Sequence, residues 1–156
     1  MEEILTGMVI GVRELLERIR KNHNSIGILW EQRERLRSLA TLHSQLPDGM
    51  PHAGISDDRM ARLVGKINEL TARYQDLMDQ LLADQAQAEQ IYARLDPRQA
   101  NALRCYYSMA MTWEEAGEAC GYSLSHIKEL GRQGIWKAEE VFAHGIKVRT
   151  KSDSFL

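Results

Sequence analysis

The sequence predicts an all-α protein: a long antiparallel helical hairpin of coiled-coil type, followed by a compact domain of short helices. Three observations point there. Apolar residues recur at a seven-residue spacing along two long stretches. The 156 residues contain only three prolines and 6% aromatics, and β-branched runs are scarce, which disfavours a β-rich fold. Two of the three prolines, with Gly49 and Gly54 beside them, fall in one internal loop that separates the two stretches.

The first stretch runs from about Glu2 to Leu46. Leu5, Val12, Ile19 and Ile26 form one row, Met8, Leu15, Leu29 and Leu36 the other, and Val9, Leu16 and Trp30 widen the stripe. Asn22, Asn24, Ser25 and Gly27 are poor helix formers, so a kink or break is expected there. The loop 46–56 follows, with Pro47, Asp48-Gly49, Pro51 and Gly54. At its end Ser56 is placed to cap a second helix, and Asp57 and Asp58 complement its positive start.

That second helix is expected from Asp57 to about Leu95. Met60, Ile67, Tyr74, Leu81, Ala88 and Leu95 form one row, and Leu63, Leu70, Leu77 and Ile91 the other, with a polar interruption at Asp84. Residues 1–95 therefore read as a hairpin for oligomerisation or partner docking. Its narrow stripe stays half covered in a single chain, so a homo-oligomer is expected, a dimer first. Asp96-Pro97 then supplies a cap and a first-turn proline, which starts a new helix and a new domain. That domain spans 96–142, and 143–156 reads as a basic, flexible tail whose His144, Lys147, Arg149 and Lys151 either touch phosphate or stay solvated.

Charge gives a weak directional signal. Net charge is −2 overall. Residues 1–96 carry 12 Lys/Arg against 15 Asp/Glu, whereas 121–156 carry 6 against 4. If any part meets phosphate, it is the C-terminal third. The acidic start leads into no cleavable apolar core, and no apolar run approaches a membrane span, so neither a secretory signal nor membrane contact is expected. Cys105 and Cys120 make no disulfide framework and sit at apolar positions, so both are expected in the core of a cytoplasmic protein. No metal-ligand spacing, phosphate loop or nucleophile–base set stands out. No enzyme, cofactor or metal is expected.

The segment after Pro97 carries most of the information. Ala102, Leu103, Cys105, Tyr106 and Tyr107 suit one short helix. Thr112 and Glu115 fit a capping box that opens a second. Gly121-Tyr122-Ser123 is a tight turn whose serine caps a third, with Ile127, Leu130 and Ile135 inward. Two short helices joined by a glycine turn make a helix-turn-helix, with Gly117 as the small residue at the crossing. The second of them, about 123–137, can enter a DNA major groove. Gly131 and Gly134 each weaken that helix by about 1 kcal/mol relative to alanine.

With those residues in place, Pro97 to about Ala138 resembles region 4 of bacterial sigma-70-type factors. Thr112-Trp113-Glu114-Glu115 and Gly121-Tyr122-Ser123 match a variant found in small phage and prophage proteins, among them a domain of unknown function. Gly49-Met50-Pro51-His52 and Ile55-Ser56-Asp57 also look like that family's interhelix segment. The chain is similar in this respect to ArpU- and RinA-type regulators of phage late genes. Relatives of that kind commonly carry isoleucine at Ala116, alanine at Gly117, often glycine at Ala110, and more arginine in the recognition helix. The resemblance implies sequence-specific binding of double-stranded DNA to control transcription in a bacterial host, with RNA polymerase as a second partner.

Helical geometry points Ser123, Ser125, Lys128, Glu129 and Arg132 outward, with His126 and Gln133 at the edges. Arg132 suits guanine or phosphate, Gln133 adenine and Glu129 cytosine. Lys128 and Lys137 suit phosphates. Thr112 and Trp113 begin the first helix of the pair, which either faces a phosphate or serves as a cap with a packed indole. Two other readings stay open. One is a small-terminase-like DNA-packaging subunit. The other is an interaction module that docks on RNA polymerase or another regulator without reading DNA.

Overall fold

A computed structural model describes residues 8–44 and 57–148. The loop 46–56 with its Ser56 cap, Leu5 of the first stripe, and Arg149 and Lys151 of the tail lie outside the described residues. The protein is all-α, and its helices are α1 (Val12–Ser44), α2 (Asp57–Tyr92), α3 (Pro97–Leu103), α4 (Trp113–Cys120) and α5 (Leu124–Val141). A single π-helical turn, Arg104–Ser108, extends α3. No helix among the described residues is long and apolar enough to cross a membrane.

Two short strands depart from the expected pattern. β1 (Met8–Ile10) pairs antiparallel with β2 (Ile146–Val148), Met8 opposite Val148 and Ile10 opposite Ile146. The first helix therefore begins at Val12 rather than near Glu2, and part of the expected flexible tail is a strand. The cause is a period of two in the side chains: Ile10, Ile146 and Val148 are buried, and the β-branched residues fit the ribbon. Met8 and Val9, read as members of the helical stripe, are half exposed on β1.

The expected break at 22–27 is absent, and α1 is helical throughout. Of the weak helix formers, Asn24 and Gly27 face solvent and Asn22 and Ser25 are half-buried. Ile19, Ile26 and Leu29 on the other side are buried, and that burial offsets the propensity cost.

The chain divides into two compact units, Met1–Asn24 with Asp79–Leu156, and Ser25–Met78. Within Ser25–Met78 the two helical segments run antiparallel. Arg33 Nε donates to Thr71 Oγ1 at 2.6 Å, and the Trp30 ring lies 5.5 Å from that of Tyr74, so later residues of α1 meet earlier residues of α2. Ile26, Leu29 and Leu70 are buried here, while Ile28, Trp30, Leu39, Leu42 and Val64 remain exposed.

The other unit holds the main core. Val12, Leu15, Leu16 and Ile19 of α1 are buried, as are Leu81, Ala88, Ile91 and Tyr92 of α2. The polar interruption at Asp84 is an ion pair: its carboxylate, 1% exposed, accepts from Arg18 Nε (2.9 Å) and Nη2 (2.7 Å) and from Gln80 Nε2 (2.9 Å). Three donors therefore satisfy a charge that burial would otherwise make costly. α2 ends at Tyr92, and a turn through Leu95 leads to Asp96, which accepts from Arg98 N at 2.9 Å. Pro97 takes the first helical position, as the sequence predicts.

Candidate nucleic-acid interface

The last three helices are set by their caps. Thr112 Oγ1 accepts from Glu115 N at 3.2 Å, and Glu115 Oε1 accepts from Thr112 N, which closes the capping box at the start of α4. Gly121 ends α4 in the left-handed conformation (φ 77°), where a side chain is disfavoured. Ser123 accepts from His126 N at 3.2 Å and starts α5. The corner between α4 and α5 is tight: a Cβ on Gly117 would stand 2.8 Å from the Tyr122 carbonyl oxygen. Ala102, Ala116, Ile127 and Leu130 form the core beneath, with Cys105, Met111, Trp113, Cys120 and Tyr122 packed around them.

Gly131 and Gly134 do not interrupt α5, which is helical from Leu124 to Val141. They let it approach its neighbours. A Cβ on Gly131 would stand 2.5 Å from the Trp113 ring, and one on Gly134 would stand 3.0 Å from Leu103 Cδ1. What the sequence presents as weak helix formers are contact points with α4 and α3.

Trp113 is held from two sides. Its indole stacks on Tyr106, with ring centres 4.0 Å apart and planes 7° from parallel, and its far edge lies over Gly131. The Arg20 guanidinium sits 4.0 Å from the Tyr106 ring centre, and its Nη1 donates to the carbonyl oxygens of Tyr106 and Met111. Of the two roles open to Trp113, packing takes most of its surface. The indole is half-buried.

The candidate residues of α5 separate into two groups. Ser125, His126, Lys128, Arg132, Gln133 and Lys137 are exposed, and Glu129 is half-buried. Ser123 spends its hydroxyl on the cap. His126 sets its ring edge-on to Tyr122 at 4.7 Å. Glu129, Arg132 and Gln133 bond one another: Arg132 Nε donates to Glu129 Oε2 at 2.9 Å, and Gln133 Nε2 donates to Oε1 at 3.1 Å. The Arg132 and Gln133 hydrogen bonds hold the Glu129 carboxyl below the usual carboxylate range. Lys137 lies farther along and is not part of this set. Thr112 is exposed but committed to the capping box.

Beside this face lies a shallow hollow of about 280 Å3 lined by Arg13, Tyr107, Trp113, Lys128, Gly131, Arg132 and Ile135. Three cations from two distant parts of the chain thus meet around two aromatic rings, a combination suited to a phosphate and its sugar. Sequence reasoning missed Arg13. It reads as one more solvated charge on α1, and only the tertiary fold brings it to α5, where Nε also pairs with Glu139 at 3.2 Å. Trp136 was missed as well. It is 69% exposed, four residues beyond Arg132 on the same side of α5, and that spacing was available in the sequence. No protein-family model, curated protein or solved structure matches this chain.

Proposed function

We propose that this protein is a sequence-specific DNA-binding regulator of transcription of phage or prophage type, with α5 as the element that enters the major groove. One observation carries the reading. A glycine-ended short helix is followed at a tight corner by a serine-capped helix that buries Ile127, Leu130 and Ile135 and leaves Ser125, Lys128, Arg132 and Gln133 outside. At the hollow on its edge Lys128 adds positive charge, while Arg13 and Arg132 are paired with Glu139 and Glu129. Exposed Ile28, Trp30, Leu39, Leu42 and Val64 favour self-association through Ser25–Met78, which would present two recognition helices to paired half-sites.

The test is selection from random duplexes, followed by footprinting of the enriched sequence at two salt concentrations. A defined motif is expected, with affinity falling as salt rises. Enrichment of no motif would overturn the reading. Sedimentation equilibrium at micromolar concentration tests the self-association, and a monomer mass would refute it.

A second reading has one observation in its favour. Trp136 is a large aromatic side chain left exposed on α5, the kind of residue that anchors protein–protein contacts. On that reading α5 docks on RNA polymerase or another regulator without reading DNA, so selection from random duplexes enriches no motif and Trp136→Ala abolishes the protein complex.

A further inference from the structure

Cys105 and Cys120 face each other across the seam between the π-helical turn and the end of α4, with Sγ atoms 3.9 Å apart. Fifteen residues separate them in sequence, so the fold alone creates the pair. Both are half-buried rather than sealed in the core. They open onto a hollow of about 350 Å3 lined also by Arg98, Asn101, Arg104 and Tyr122, wide enough for a small oxidant. We propose that Cys105 and Cys120 form a thiol-oxidation site that closes to a reversible intramolecular disulfide. This proposal goes beyond the DNA-binding reading and does not depend on it.

The geometry asks for little movement. A disulfide needs the sulfurs to close to about 2.0 Å, which side-chain rotation and a small shift of the two segments can supply. With hydrogen peroxide as the oxidant, one thiolate attacks the O–O bond and becomes a sulfenic acid, and hydroxide leaves as water after protonation. The second sulfur attacks the sulfenic sulfur, the S–S bond forms, and a second water leaves. Two thiols are oxidised and one peroxide is reduced to two waters. Burial pushes the Cys105 thiol up, and either sulfur can make the first attack with the other resolving it.

The position gives the bond a consequence. Cys120 is the last residue of α4, immediately before the Gly121 corner, and Cys105 lies in the π-helical turn whose Tyr106 supports Trp113. A covalent link between them ties that corner to α3. Disulfides of this kind in reducing compartments are transient and sensing rather than permanent.

The test uses the full chain, reduced and then exposed to stoichiometric hydrogen peroxide under native conditions. The expected result is simultaneous loss of both titratable thiols and a mass lower by two hydrogens. The chain stays monomeric on a non-reducing gel, one proteolytic fragment joins the Cys105 and Cys120 peptides, and dithiothreitol reverses all of it. Cys105→Ser is expected to accumulate a dimedone-reactive sulfenic acid at Cys120 instead. If that variant fails to fold, the wild-type peptide map still decides. Two free thiols after treatment, independent oxidation to sulfinic acids, or disulfides only between chains would each overturn the proposal.

Discussion

The Trp113 indole lies across Gly131, so close that a methyl group there would stand 2.5 Å from the ring. Two effects oppose each other in Gly131→Ala. Alanine gains about 1 kcal/mol as a helix former, while overpacking a fixed neighbour costs about 1–3 kcal/mol. Tyr106 stacked on the indole, with Arg20 against Tyr106, leaves the ring little room to yield, so the cost dominates. A net loss of up to about 2 kcal/mol is expected in urea unfolding. Gly27→Ala is the control: nothing lies within 4 Å of the added Cβ, so a gain of about 0.5–1 kcal/mol is expected. Equal effects at the two sites would rule out the packing role of Gly131.

Arg18 and Asp84 differ in their access to water, and that makes their substitutions asymmetric. Asp84 is 1% exposed at its side chain and Arg18 is 24% exposed. Arg18→Met strands the carboxylate, with an expected loss of about 3–5 kcal/mol. Asp84→Leu frees an arginine that reaches solvent, so a smaller loss is expected. The double variant Arg18→Met/Asp84→Leu is expected to recover most of the stability, because apolar replacement of a buried pair is often near neutral. A double-mutant cycle on unfolding free energies measures this, and simple additivity of the two losses would refute the coupling.

Tyr92 sets an alkaline limit. Burial removes its phenol from water and raises its pKa from 10.0 to about 12, against the opposing hydrogen bond with Ser108. The folded chain therefore holds this proton more tightly than the unfolded chain. The stabilisation is fully present below pH 10 and is lost as pH rises toward 12, by about 2–3 kcal/mol in all. Tyr92→Phe is expected to lose about 1 kcal/mol at neutral pH with the Ser108 hydrogen bond. Between pH 10 and 12 it should decline less steeply than the wild type. Parallel decline of the two proteins in alkaline denaturation would count against the burial effect.

Local chemistry was the most legible part of the sequence. The Asp96-Pro97 start, the Thr112/Glu115 capping box, the Gly121 corner and the Ser123 cap are each written within four residues, and each stands where its residues place it. The heptad rows identified the buried stripe in part: Leu70, Leu81, Ala88 and Ile91 are covered, Met60, Leu63, Ile67, Tyr74 and Leu77 are half-buried, and Trp30 is exposed. What escaped was tertiary. The β1–β2 ribbon joins residues far apart in the chain, and three-residue strands carry too short a pattern to read. Gly131 and Gly134 looked like propensity defects because their partners, Trp113 and Leu103, lie on other helices. Ala110 is a middle case. It adopts φ 56°, a left-handed conformation that costs a side-chain-bearing residue about 1–2 kcal/mol and that glycine would take without strain. At the candidate interface, the outward set on α5 was legible from helical period and the Glu129, Arg132 and Gln133 pairing from its i, i+3 and i+4 spacing, whereas only the tertiary fold brings Arg13 there.

That mutual pairing gives the sharpest test of α5 as the DNA-reading element. In the free protein Glu129 binds both Arg132 and Gln133, so the two side chains best suited to guanine and adenine are engaged with a carboxylate. On the DNA-binding reading, DNA would have to exchange those hydrogen bonds for its own, with the Glu129 charge opposed to the phosphates. Glu129→Gln keeps the shape and removes the charge. It is expected to raise affinity for non-specific duplex several-fold at low salt, with the gain fading as salt screens it. Lys128→Ala is expected to weaken binding and reduce the slope of affinity against salt by about one phosphate. Arg132→Ala is expected to weaken binding and relax the preference at one base pair, costing about 1–3 kcal/mol. Fluorescence anisotropy across a salt series reads all three. If the chain binds duplex and none of the three variants alters affinity, slope or preference, the contact lies on another surface and α5 is not the reading helix.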